Sequence, residues 1–116
     1  MSDSTHTHLL LVLCTCPDSN SADQIACSLV KERLAACVTQ LPQGRSTYVW
    51  NDQLVTAQEI QLVIKTTNDK RTALLHRLTQ LHPYDVPEAI ALPINAASPD
   101  YLNWVMQSMR SNDSAS

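Results

Sequence analysis

The sequence predicts an α+β fold: an antiparallel sheet with helices packed on one face and a further helix at the C-terminal end. Three observations carry that expectation. Strand-like aliphatic runs alternate along the chain with segments whose apolar residues recur at helical spacing. Prolines and short polar clusters stand at the boundaries between them. Two of the strand-like runs meet at Asn51-Asp52, a dipeptide that tolerates left-handed backbone angles and so suits a tight hairpin turn.

Residues 8–15, HLLLVLCT, form a continuous apolar run of the length expected for a strand buried on both faces. CPDSNS breaks it, and SADQ then has the form of a capping box, with Ser21 as cap and Gln24 reaching back. The helix that follows is expected over 22–35, with Ile25, Ala26, Leu29, Val30 and Leu34 as its apolar stripe. CVTQLP reads as a second strand, ended or bent by Pro42 and Gly44. STYVWNDQLVTAQEIQLVIKTT holds two strand-like runs around the Asn51-Asp52 turn. NDKRTALLHRLTQL is a second helix, capped by Asn68 or Asp69, with Leu74, Leu75, Leu78 and Leu81 inside. PEAIALPI is a last strand. SPDYLNWVMQSM opens with Ser98 as cap and Pro99 at the first helical position, and Tyr101, Leu102, Val105, Met106 and Met109 give it one apolar face.

The order is strand, helix, strand pair, helix, strand, helix. Without the last helix this is the split βαβ, ferredoxin-like sandwich. A length of 116 residues fits one domain. The expected division is a disordered segment over 1–8, a single domain over 9–110 and a disordered tail over 111–116.

Composition excludes several functions. One glycine in the whole chain rules out a Walker loop and a dinucleotide fingerprint, which need several at fixed spacing. A net charge of −3, without a basic stripe, argues against nucleic acid as partner. The apolar run near the start is short and lacks basic residues before it, so neither a signal peptide nor a membrane span is expected. A cytoplasmic location follows as the expectation. There Cys14, Cys16, Cys27 and Cys37 stay free thiols.

Cys14 and Cys16 are two apart on or just after a strand, so their side chains can share a face. Each also has a plainer reading as a small buried hydrophobe, and Cys27 and Cys37 are read only that way. His82 is the most constrained histidine. It follows a helix end and precedes Pro83, which restricts its backbone. That suits a metal ligand or proton carrier, and equally a residue that caps the helix. The run Gln53–Thr66 would span roughly 46 Å at about 3.3 Å per residue, against about 35 Å for a globule of this length. The hairpin must therefore bend, or project and meet another subunit. Tyr48 and Trp50 share a face of its first arm, as an ordinary aromatic ladder or as anchors of a subunit contact.

The stretches LCTCPD, LVKERLAACV, STYVWNDQL, EIQLVIKTT, HPYDVPEAIALPI and YLNWV, taken in order over roughly residues 10–106, resemble the CutA family of divalent-cation tolerance proteins. The resemblance implies a ferredoxin-like subunit, a homotrimer held by strand exchange between hairpins, copper or other divalent cations as ligand, and no firm enzymatic activity. The family's copper ligands fall on Cys14 and His82, with Glu59 a lesser candidate; Leu81 stands where some members carry a second histidine. Asp52 replaces the glycine common in the family's hairpin turn. Lys65, Tyr84 and Glu88 are expected to line a groove between subunits and bind a small anion or carboxylate, unless they form a purely structural set. The alternative to a metal-tolerance role is a small-ligand-binding signalling trimer, similar in architecture to nitrogen-regulatory proteins. An enzyme built on Cys14 and His82 would need an oxyanion nest that these glycine-poor loops do not supply. An acylphosphatase would need an arginine-bearing loop, and CPDSNS has no arginine.

Overall fold

The computed structural model describes residues 7–110. Its elements run β1 (Leu9–Cys16), α1 (Ser19–Lys31), β2 (Cys37–Trp50), β3 (Gln53–Thr67), a 3-10 turn (Asn68–Lys70), α2 (Arg71–Leu81), β4 (Ile90–Ile94) and α3 (Pro99–Ser108). The four strands form one sheet in the order β2-β3-β1-β4, antiparallel at every pairing. This is the split βαβ arrangement, with the first and third strands central.

Strand alternation decides where the core lies. Val12, Cys14 and Cys16 of β1 and Leu62 and Ile64 of β3 point to one face. There they meet Ala22, Ile25 and Leu29 of α1 and Leu74 and Leu78 of α2, all fully buried. Each large aliphatic in this set stabilises the fold by roughly 1.5–3 kcal/mol. Helix α3 makes a smaller cluster, packing Val105 and Met109 against Leu9 with Ile94 beside them. Leu9 and Ile94 are register partners and alternate away from Val12 and Cys14, so α3 covers part of the other face. Helices α1 and α2 are joined by the Arg77–Glu32 pair, at 2.9 Å from both guanidinium nitrogens used.

Local boundaries depart from the sequence reading in five places. The capping box at Ser21 does not form. Asp18 is the cap, its Oδ1 accepting from the Ser21 amide at 2.8 Å, because its carboxylate offers a stronger acceptor one turn earlier. Helix α1 ends at Lys31, since Arg33 takes a left-handed φ of 61° that no helix continues through. Neither Asn68 nor Asp69 caps α2, which is entered through the 3-10 turn with no side-chain cap. The last strand begins at Ile90, after Pro87, which has no amide hydrogen for the ladder. Thr7 and His8, expected outside the domain, are tied to it: Thr7 donates to the Ile94 carbonyl and accepts from the Leu9 amide, and the Asn68 amide donates to the His8 carbonyl. The expected disorder of residues 1–6 and 111–116 lies outside the described residues.

The hairpin governs the shape. CVTQLP and STYVW are one strand, not two, joined through a bulge between Leu41 and Gly44. Pro42 lacks an amide donor and Gln43 takes a φ of 66°, so the chain slips one residue instead of stopping. The slip changes parity. Leu41 opposes Gln61, while Gly44, opposing Glu59, carries Ser46, Tyr48 and Trp50 onto the face of Gln61. At the turn Asn51 and Asp52 have φ of 53° and 63°, the two left-handed residues of a type I′ turn. Asp52 therefore does the work expected of glycine there. The arm beyond the bulge has no helix over it, and Tyr48, Val49, Trp50 and Leu54 are exposed. The molecule measures 49 × 39 × 23 Å, longer than a compact chain of its size.

Gly44 is fixed by space rather than by φ. A Cβ at this position would lie 2.9 Å from the Glu59 carbonyl oxygen, which is backbone and cannot swing away. Gly44→Ala should lower stability by about 1–3 kcal/mol, the range for overpacking a tight contact. The denaturant midpoint measures it; an unchanged midpoint would show that the bulge has room.

Candidate metal centre and adjoining cleft

Three ligand-type side chains converge beneath the helices. Cys14 and Cys16 alternate onto the core face of β1, and α2 ends directly above them. Pro83 holds His82 in extended backbone, with φ −79° and ψ 140°, so the histidine leaves the helix axis and turns into the core. The His82 amide still closes the helix on the Leu78 carbonyl at 3.0 Å. All three residues are buried, and one donor atom from each lies within 4.8 Å of the others. Cys16 Sγ stands 3.9 Å from His82 Nε2. A trigonal ion with bonds of about 2.3 Å to sulfur and 2.0 Å to nitrogen would place those atoms roughly 3.7 Å apart. The donor set and its spacing fit a soft or borderline metal ion.

The thiols are a coupled pair. Their mutual hydrogen bond, then burial, pushes Cys14 far above the ordinary thiol range, and charge on Cys16, Glu88 and Glu59 acts in the same direction. The same hydrogen bond draws Cys16 down, against the opposing effect of burial. Cys16 is thus the first of the two to become a thiolate.

His82 has hydrogen bonds of its own. The Tyr84 amide donates to Nδ1 at 3.1 Å, so Nδ1 is the unprotonated nitrogen. Nε2 carries the hydrogen and donates to the Thr15 carbonyl at 2.7 Å. Ligation through Nε2 requires the proton to leave and the Thr15 bond to break, at about 1 kcal/mol for a net hydrogen bond. Two thiolates can hold an ion without that step.

The remaining expected residues divide. Glu59 does not join the thiol–imidazole group. It is 7% exposed and accepts from the Tyr84 hydroxyl at 2.7 Å. Burial, then the bond to Glu59, raises the Tyr84 phenol well above its usual range, so it stays a donor. The Tyr84 ring sits 4.8 Å from the His82 ring. Tyr84 and Glu88 line a 680 Å³ cleft with Glu59, Tyr48, Trp50 and Asp85. Lys65 is not among the cleft residues. It lies on β3 opposite Leu11 and Cys37, where its Nζ donates to Thr39 Oγ1 at 3.3 Å. Among the described residues the cleft walls carry three carboxylates and no cation. Cys37 begins β2 as foreseen, but Cys27, read as structural, is exposed on α1.

Sequence reasoning had left Cys16 unassigned. Its alternation with Cys14 was the available signal, and the structure makes it a full member of the group.

The fold and this site define a small α+β protein with a buried donor set suited to metal ions. The family model described as CutA1 divalent ion tolerance protein matches residues 10–108. The divalent-cation tolerance protein CutA of Pectobacterium atrosepticum is 44% identical over 110 residues, covering 95% of this chain and all of that one. The CutA of Yersinia pestis is 41% identical over 105 residues, covering 90% of this chain and 88% of its own. Among solved structures, CutA from Xylella fastidiosa superposes with a TM-score of 0.87 at 48% identity, covering 89% of this chain and 99% of its own. CutA1 from Oryza sativa gives 0.87 at 37%, covering 94% and 99%. The chain belongs to the CutA1 family of divalent ion tolerance proteins.

Proposed function

We propose that the chain is a homotrimeric binding protein that takes copper, as Cu(I), at Cys14, Cys16 and His82, and contributes in that way to metal-ion tolerance. One observation carries the reading: three buried donors, two of them thiols, within 4.8 Å. Thiolate ligands select soft ions, so copper(I) and zinc are favoured over magnesium or calcium. Three donors are one short of a closed structural zinc site, whereas Cu(I) accepts two or three. The thiols must stay reduced, which accords with the cytoplasmic location expected from the sequence.

A binding role is also supported over catalysis. The thiols are fully buried, and both His82 nitrogens are engaged. The 680 Å³ cleft favours a second reading, the ligand-binding signalling trimer, with Glu59 and Tyr84 linking cleft to metal group. A thermal-shift screen with small amines and metabolites tests it; a ligand that stabilises the protein through Glu59 without copper supports that reading.

Copper affinity should fall with pH. The ligands bind as thiolate and neutral imidazole, so protonation competes with the metal. Cys14 keeps its proton across the neutral range, so at least that proton must be displaced throughout. The apparent affinity should weaken about tenfold per pH unit for each proton displaced, between about pH 8 and 5.5. Competition titration against a chelator of known pH dependence measures the slope; a flat profile would remove the thiols from the coordination.

A further inference from the structure

A second cavity, of 240 Å³, opens at the start of α2, away from the thiols. It is lined by Thr67, Asp69 and Lys70 from the end of β3 and the 3-10 turn, and by Met106, Met109 and Arg110 from α3 and just beyond it. We propose that this cavity is an oxyanion site that takes a phosphate group. The inference is independent of the metal reading and uses none of its residues.

Four observations converge there. The 3-10 turn and α2 form one continuous helical segment, and neither is closed by a side-chain cap. The Asn68 amide is already taken by the His8 carbonyl, so the remaining first-turn amides and the helix dipole attract negative charge. Lys70 and Arg110 flank the opening, and neither is in an ion pair; among the described residues the one such pair is Arg77–Glu32. The Thr67 hydroxyl is the independent sign. Thr67 is 3% exposed and holds the N-cap position of the turn, yet its Oγ1 has no hydrogen-bond partner. An orphaned buried hydroxyl is costly to the fold, and Thr67 is among the residues that line this cavity. The Asp69 carboxylate opposes an anion, so the two cations and the amides must outweigh it. The volume is several times the roughly 30 Å³ of one water.

Inorganic phosphate is the probe, titrated into the full ¹⁵N-labelled chain against sodium chloride of equal ionic strength. Amide shifts should saturate at 67–71 and 110, and chloride should not reproduce them. The double variant Lys70→Gln with Arg110→Gln should weaken binding at least tenfold, and Asp69→Asn should strengthen it severalfold. Thr67→Val should weaken binding and raise the unfolding midpoint in phosphate-free buffer, because the orphaned hydroxyl is gone. Methyl phosphate forms a second arm: binding equal to phosphate assigns the site to phosphate esters as well, and weaker binding assigns it to the free ion. Shifts that chloride reproduces, that never saturate, or that survive the double variant would overturn the site.

Discussion

Copper(I) titrated into the Cys16→Ser protein should bind about a hundredfold or more weakly than to the wild type. Serine keeps the shape of the site but exchanges a soft thiolate for a hard neutral hydroxyl, which Cu(I) has little affinity for. It also removes the thiol that ionises first, since the Cys14 hydrogen bond lowers Cys16. Cys14→Ser should have an effect of the same size, because either change leaves one thiolate. His82→Ala should cost less, about tenfold, the scale seen when a supporting partner is lost. The imidazole has to give up Thr15 to ligate, so part of its contribution is already spent on the fold. Cys27→Ser should change nothing, as that thiol is exposed on α1 and outside the group. All variants should be prepared with His6 and His8 replaced by alanine, to remove adventitious copper. Wild-type affinity in Cys16→Ser would defeat the site as drawn.

The contrast between Cys16 and Lys65 shows what sequence can and cannot deliver. Period-two alternation put Cys14 and Cys16 on one face from the spacing alone, and the fold confirms it. The resemblance to known relatives pointed at His82, and Pro83 gave a local physical reason for its fixed backbone. The meeting of the two, 66 residues apart, depends on how α2 lies over β1, which no local pattern encodes. Lys65 stands apart from the cleft within a single chain for a related reason. It lies six positions along β3 from Glu59, roughly 20 Å at 3.3 Å per residue, so within one chain it does not reach the cleft. The bulge was half visible. Pro42 and Gly44 announced a break, but a bulge and a strand end share those signals, and only the pairing partner Glu59 distinguishes them. Element types survived all this because hydrophobic periodicity is long-range and redundant. Caps did not, because Asp18 and Ser21 lie one turn apart and each can close the helix start, Asp18 on the Ser21 amide and Ser21 on the Gln24 amide.

Light scattering on the wild-type chain should give about three times 12.9 kDa, and Trp50→Asp should bring the mass down toward one chain. The reason lies in the edge that β2 leaves open. It is the outermost strand of the sheet, 14 residues long, and its outer half projects with no helix over it. An edge that long, flanked by Tyr48, Val49 and Trp50 and with Arg45 its single cation, lacks the lysines and short length that protect free strands. The opposite edge, β4, is managed: it has five residues, and Pro93 interrupts its donors. Association of the arms would pair the β2 edge and bury Trp50, which is 59% exposed, and Leu54, which is 76% exposed. Aspartate at position 50 would then sit desolvated in the contact, and an unpaired buried charge costs several kcal/mol in each of the three copies. That is enough to dissociate a micromolar assembly, since each 1.4 kcal/mol is tenfold in affinity. The exposed turn should let the single chain stay folded, with α1, α2 and their core untouched. Thermal unfolding should accordingly become independent of its concentration in the variant and depend on it in the wild type. A wild-type mass of 12.9 kDa would end the trimer reading, and a Trp50→Asp protein of unchanged mass would place the contact elsewhere than on the arm.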